Sequence, residues 1–263
     1  MILFQNKQLA YTIYNAAAKG TPLVLLHGFG EDSRIWQHFI QGFPMPVITP
    51  DIGGLGSSEP LATYSIDNMA DSVLALVQHL QYEKIILIGH SLGGYVGLAF
   101  AERHPAYLAG LGLFHSHPFA DAPEKQEHRR KVADFILRNG SKVFVEELIP
   151  KLFHPDYLAQ ASDLLKTLIE RGASFAPESL AGCSVAMAER PDRAAVLEQI
   201  ACPVLFIIGR DDTAVTWQQS TEQTYLPPVA DVHILNAVNH MGMFEATDKT
   251  RQIVLNFYAF CHQ

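Results

Sequence analysis

The sequence predicts an α/β protein: a mostly parallel central sheet of about eight strands, helices on both faces and one helical insertion. Short apolar runs bounded by Gly or Pro recur along the chain. Helical patterns lie between them. One long stretch, 118–193, carries helical patterns and no strand.

The runs are "PLVLL" at 22–26, "PVITPD" at 46–51, "KIILIG" at 84–89, "LAGLGLF" at 108–114, "PVLFIIG" at 203–209 and "VHIL" at 232–235. Runs without polar alternation suit strands buried on both faces, as in a parallel sheet. Ile2 to Phe4 and Leu9 to Tyr14 alternate weakly and are expected to form a hairpin.

In "SIDNMADSVLALVQHL", Ile66, Met69, Val73, Leu76, Val77 and Leu80 recur at helical steps, and Ser65 or Asp67 could cap the start. Residues 92–103 are small and apolar and stop before Pro105, and "TRQIVLNFYAF" gives a C-terminal helix. Within 118–193 three stripes stand out. The first is Val132, Phe135 and Ile136; the second is Phe144, Val145, Leu148, Ile149 and Leu152. The third is Leu158, Ala161, Leu164, Leu165, Leu168 and Ile169. A connection this long is read as a domain insertion rather than a loop. The expected core is 1–117 with 194–263.

The 263 residues are 48% hydrophobic and 17% charged, enough apolar surface for a large core and against disorder. A net charge of -8 argues against nucleic acid as partner, and "HRRK" at 128–131 reads as a solvated helix face. Cys183, Cys202 and Cys261 have neither disulfide nor zinc spacing, so a reducing compartment is expected. No run has the ~20 apolar residues of a membrane span, and the first residues lack a secretory pattern. A cytoplasmic protein is expected.

"G-H-S-L-G" at 89–93 joins a strand run to a helix run. A turn this sharp needs glycine on both flanks. It holds Ser91 in a strained conformation that pushes its side chain out at the strand's carboxyl end. The positive helix end then favours a developing negative charge.

"HGFG" at 27–30, "DIGGLGSS" at 51–58, "GHSLGG", "GRDD" at 209–212 and "NHMGMFE" at 239–245 together resemble the α/β-hydrolase family over nearly the whole chain. The segment from Phe114 to Gly140 is similar, more weakly, to the lid of small esterases and enol-lactone hydrolases. The resemblance implies the α/β-hydrolase fold, a helical lid at 118–193 and a serine hydrolase. It implies Ser91 as nucleophile and, in the family's chain order, an acid and then a histidine. Asp211 and Asp212 both follow a strand end. The family's spacing from the glycine selects Asp212. Of the 12 histidines, His240 matches the family's base; it lies in a loop with Asn236, Asn239 and Gly242. His90 is expected to face elsewhere, His27 to shape the oxyanion loop, and His233 to be structural.

The same resemblance makes the backbone N–H groups of Phe29 and Leu92 the oxyanion donors. Phe29, Trp36, His115, Phe119, Phe144, Leu148, Met187 and Met241 are expected to line the substrate pocket, with Leu92 beside them. Arg34, Arg129 or Arg130 could meet a substrate carboxylate but read as solvated. No metal or cofactor is expected: "DIGGLGSS" lacks a nucleotide-loop spacing, and Cys, His and carboxylate positions give no metal spacing.

The expected activity is cleavage of a small to medium, largely apolar ester or lactone through an acyl-enzyme. A serine at the turn disfavours the family's dehalogenases and epoxide hydrolases, which attack through a carboxylate. Two alternatives stand: carbon–carbon bond cleavage with the same residues, and a receptor-like module with little turnover. The expected partner is a small-molecule substrate, and the oligomeric state is unknown.

Overall fold

The computed structural model describes residues 1–262. A seven-stranded sheet forms the centre, in the order β3-β5-β4-β6-β7-β8-β9. Its strands are β3 (Tyr11–Tyr14), β4 (Leu23–Leu26), β5 (Val47–Pro50), β6 (Ile85–His90), β7 (Leu108–Phe114), β8 (Val204–Gly209) and β9 (Ala230–Leu235). Only the β3–β5 pairing is antiparallel. β1 (Ile2–Phe4) and β2 (Lys7–Leu9) make a separate antiparallel hairpin. The run Leu9 to Tyr14, expected as one arm of a hairpin, is divided between β2 and β3, and "HGFG" follows the fourth strand.

Every residue of β4, β5, β6 and β8 is buried, which is why these runs lack alternation. Helices cover both faces. On β7, a Cβ at Gly110 would meet Cys261 and Phe257, which place the C-terminal helix α11 (Thr247–Phe260) on that side. Leu111, one residue on, faces Gly97 of α2 (Leu92–Arg103) on the other. α1 (Ile66–His79) packs beside α2, and the Ser65 hydroxyl caps its start by accepting the Asn68 N–H at 3.0 Å.

Between β7 and β8 run α3 (Pro123–Asn139), α4 (Ser141–Leu148), α5 (Pro155–Leu158), α6 (Ser162–Ala173), α7 (Pro177–Glu189) and α8 (Ala194–Gln199). α3 packs on α7, and α4 on α6. The third expected stripe is split. α5 ends at Leu158, and α6 starts only after Ala161, which is turned inward at φ −108°, ψ 21°. Packing overrides the local helical preference there.

These helices sit over the carboxyl ends of the strands. Leu148 and Gly172 touch Gly30 in the loop after β4, and Ser179 and Cys183 touch the loop after β5 at Gly54 and Gly53. The His240 N–H, after β9, donates to the Leu152 carbonyl at 2.9 Å. Three loops that end strands are thus roofed by one insertion.

The turn at 89–93 depends on two glycines with no room for a side chain. A Cβ on Gly89 would collide with the Gly93 carbonyl oxygen, and one on Gly93 would lie 2.7 Å from that of Leu26. Gly140, at φ +84°, has nothing within 4 Å of an added Cβ. Gly140→Ala therefore costs only backbone strain, about 1–3 kcal/mol. Gly89→Ala must push two backbone segments apart. Urea unfolding is expected to show the larger loss for Gly89→Ala, and equal losses would contradict this account of the turn.

Candidate active site

Ser91 follows β6 and starts α2 at φ 49°, ψ −112°, in the positive-φ region that non-glycine residues avoid. Its N–H donates to the Phe114 carbonyl at 3.0 Å, and its own carbonyl accepts from Gly94 N–H and the Ser116 hydroxyl. The backbone is held on both sides while the hydroxyl makes no capping bond.

His240 lies in the loop between β9 and α10 (Gly242–Glu245). Glu245 accepts the N–H groups of Asn239 and Met241 on either side of it, which pins the loop. His240 Nδ1 donates to Asp212 Oδ2 at 2.8 Å. Ser91 and His240 line one cavity of about 110 Å³, together with Phe29, Tyr95, Arg129 and Met187. Among the described residues, neither Ser91 Oγ nor His240 Nε2 has a protein hydrogen-bond partner, so both atoms are left to that cavity.

Asp212 is almost wholly buried. Its Oδ1 accepts the N–H groups of Ala214 and Val215 at 2.8 and 2.9 Å. Its Oδ2 faces His240 and, at 3.3 Å, His115 Nδ1. Burial alone would raise its pKa; the two histidines outweigh burial and hold it far below the usual carboxylate range. Asp211 is left outside this cluster.

His115 is a correction to the expected pocket. It sits at φ 53° after β7, turned inward beneath Asp212. Burial pushes its pKa down to about 4, so the ring is neutral. Nε2 accepts the Gly242 N–H at 3.2 Å, so the one proton belongs on Nδ1. Nδ1 also lies 3.1 Å from Gly209 N and cannot both accept there and donate to Asp212. The buried carboxylate is the stronger partner. His115, Asp212 and His240 bring ligating atoms within 4.8 Å of one another, a spacing a metal centre would also use. Hydrogen bonds already account for it.

Trp36, Phe119 and Met241 also lie away from the cavity. Trp36 is sealed in the core against Phe39 and Phe114. Phe119 stacks on His117, and Met241 is fully buried before α10. Phe29, Leu148 and Met187 do line it, while Phe144 lines an adjoining chamber. Among the described residues, no protein acceptor takes the N–H of Phe29 or of Leu92.

His90, expected to face elsewhere, and Glu31, which the sequence does not single out, tie these loops together. His90 Nδ1 lies 3.0 Å from Glu31 Oε2, and Nε2 lies 2.9 Å from the His240 carbonyl oxygen. Glu31 Oε2 also accepts the Gly28 N–H at 2.7 Å. Both ring nitrogens face acceptors, so the ring donates twice and is the cation of a buried ion pair. Burial opposes charge on each partner, but the opposite charge prevails: the pKa of Glu31 is lowered and that of His90 raised. A Cβ on Gly28 would strike both side chains, so glycine is required there. His27 holds the same loop from the other side, its Nε2 accepting the Ile52 N–H at 2.9 Å.

Comparison with known proteins assigns the chain to a family. A family described as "alpha/beta hydrolase fold" matches residues 21–139. "Putative carbamate hydrolase RutD" of Pseudomonas syringae is 30% identical over 231 residues, 85% of this chain and 88% of that protein. The chain belongs to the α/β-hydrolase family. The "Dihydrolipoyllysine-residue acetyltransferase component of acetoin cleaving system" of Pseudomonas putida is 33% identical over 90% of this chain, and the match spans 63% of that longer protein. The solved structure of a thermophilic esterase from Thermogutta terrifontis superposes with a TM-score of 0.92 at 29% identity, covering 98% of this chain and 95% of that one. This α/β hydrolase is an enzyme, and among its described residues no helix is long and apolar enough to cross a membrane.

The Glu31–His90 pair makes a pH-dependent prediction. Glu31, lowered from 4.5, contributes stability above that value and loses it as pH falls through its folded pKa. His90, raised from 6.5, contributes below that value and loses it as pH rises through its folded pKa. The stability lost in Glu31→Gln should be greatest between 4.5 and 6.5. Breaking one partner of a buried pair costs about 3–5 kcal/mol. Denaturant midpoints across the pH range measure it; a difference that ignores pH would rule out the ion pair.

Proposed function

We propose that this α/β hydrolase cleaves a small to medium, largely apolar ester or lactone through an acyl-enzyme, with Ser91, His240 and Asp212 as its triad. One observation carries the proposal. Ser91 is held at positive φ on the wall of the cavity that also receives the His240 ring, and Asp212 orients that ring.

A serine hydroxyl needs a base to attack at neutral pH. His240 Nε2 would take the Ser91 proton as Oγ attacks the carbonyl. Asp212 holds the Nδ1 proton and stabilises the imidazolium. The oxyanion would form beside the unpartnered N–H groups of Phe29 and Leu92, at the positive end of α2. The proton then passes to the leaving alcohol. Water, deprotonated by His240, releases the acid and restores Ser91. The relation to an esterase in structure and to a named hydrolase in sequence supports this reaction class.

A fluorophosphonate is expected to label Ser91, and Ser91→Ala to lose both labelling and hydrolysis of p-nitrophenyl acetate. Labelling that survives the substitution would overturn the assignment. Hydrolysis should also fall on acidification, because a protonated His240 cannot accept the serine proton. A kcat/KM that stays flat between about pH 5 and 8 would count against a histidine base.

A further inference from the structure

Arg129 does not lie on a solvated face. It sits on α3 one turn before Val132 and Ala133 and two turns before Ile136, so the helix directs it inward with them. Arg130, its neighbour, is exposed. Arg129 lines the cavity that holds Ser91 and His240. It also lines an adjoining chamber of about 490 Å³. Phe29 and Leu148 share both walls with it, so the two spaces meet at this guanidinium.

The charge around Arg129 is not balanced. Its Nε donates to Asp121. The same carboxylate also faces Arg190 Nη2 at 2.9 Å and Lys125 Nζ at 3.7 Å. One buried acid therefore serves three cations, and the two arginines hold its pKa down against burial. Arg190 is 4% exposed, its Nη1 and Nη2 also donate to the Met187 and Phe119 carbonyls, its Nε is buried without a partner among the described residues, and the guanidinium stacks 4.0 Å over the Tyr95 ring of the inner cavity. Asp192 lies near Arg190, but its carboxylate accepts backbone N–H groups of Ala120 and Ala194. His117, next to Tyr95, is kept neutral with a pKa pushed down to about 3, by burial first and then by Arg190. Arg129 Nη1 meets only the Met187 thioether at 3.3 Å. Among the described residues, Nη2 has no acceptor. Lys131, Lys151 and Glu147 line the outer chamber, and Lys131 Nζ lies 3.7 Å from Glu127.

A guanidinium with free planar donors beside a candidate nucleophile is a carboxylate receptor. We propose that Arg129 is the specificity residue of this site, and that the substrate is an ester whose acyl chain ends in a carboxylate bound by its Nη groups. The inference rests on the hydrolase reading for where the ester lies. The anion contact itself does not depend on turnover. The apolar stem would run between Phe29 and Leu148, with the reacting carbonyl at Ser91.

Binding to the Ser91→Ala protein tests it without catalysis. The probes are the monomethyl esters of succinic, glutaric and adipic acids, each compared with its neutral dimethyl ester by titration calorimetry. The best monomethyl ester is expected to bind about tenfold to a hundredfold more tightly than its dimethyl counterpart, and Arg129→Gln should remove that preference. Equal binding of acid and neutral esters, or a preference that survives Arg129→Gln, overturns the proposal. Should Arg129→Gln fail to melt cooperatively, Arg129→Lys and salt decide. The lysine loses the planar fork, and about 0.5 M NaCl screens the charge, so both should shrink the preference. A preference indifferent to both is the overturning result. An acid preference in a wild-type protein that cleaves none of these esters would sink the hydrolase reading and leave the Arg129 site standing.

Discussion

The contact between Gly89 and Gly93 governs everything at this end of the sheet. A Cβ on Gly89 would strike the start of α2, and one on Gly93 would strike the end of β4 at Leu26 and His27, so neither position admits a side chain. That approach forces the intervening backbone into positive φ and turns Ser91 outward. It also decides where His90 points. Alternation along β6 sends His90 to the side opposite its neighbour, into the space beneath the loops. There it becomes the cation between Glu31, in the loop after β4, and the His240 carbonyl, in the loop after β9. A steric constraint at one turn thus sets the position of three loops.

The buried charges around His240 follow from the same arrangement. Asp212 and Glu31 are anions, His90 is a cation, and His115 is neutral. The surroundings carry one net negative charge before His240 takes a proton. In the proposed cycle the arriving proton neutralises the group, and the oxyanion forms at the helix end instead. Charge moves through a site whose dipoles are already oriented, which is where enzymes draw most of their electrostatic advantage. His115 adds a second N–H to Asp212, whose other oxygen already accepts two backbone N–H groups.

The strands were legible because burial on both faces removes polar residues: β6 and β8 coincide with their runs to within a residue. The turn was legible because its glycines have no substitutes. Side-chain direction beyond a strand end was not. His115 was expected in the pocket, yet a positive φ after β7 turns it under Asp212. Trp36 was expected at the pocket, but the short helical turn Ser33–Trp36 carries it into the core. Glu31 left no signal, since a carboxylate in a loop reads as solvated until its buried partner is known. Arg129 did leave one. It falls on the face of Val132, Ala133 and Ile136, and a run of four basic or imidazole residues concealed that periodicity.

The core and the insertion supply different kinds of charge. In the core, charged groups have partners within hydrogen-bond distance: Glu31 and Asp32 pair with the cations of His90 and Arg34, and Asp212 faces two histidine rings. Pairing fixes geometry and leaves little field outside. In the insertion, Asp121 is outnumbered, and Arg129 retains open donors at the junction of two cavities. The whole chain carries -8, so this pocket is a positive spot on a negative molecule. Under the proposals above, an anion would be drawn to this concave place between Phe29 and Leu148. Selectivity by charge would then belong to the helices between β7 and β8, and reactivity to the sheet. Substitutions along α3 could change what binds without disturbing the turn that holds Ser91.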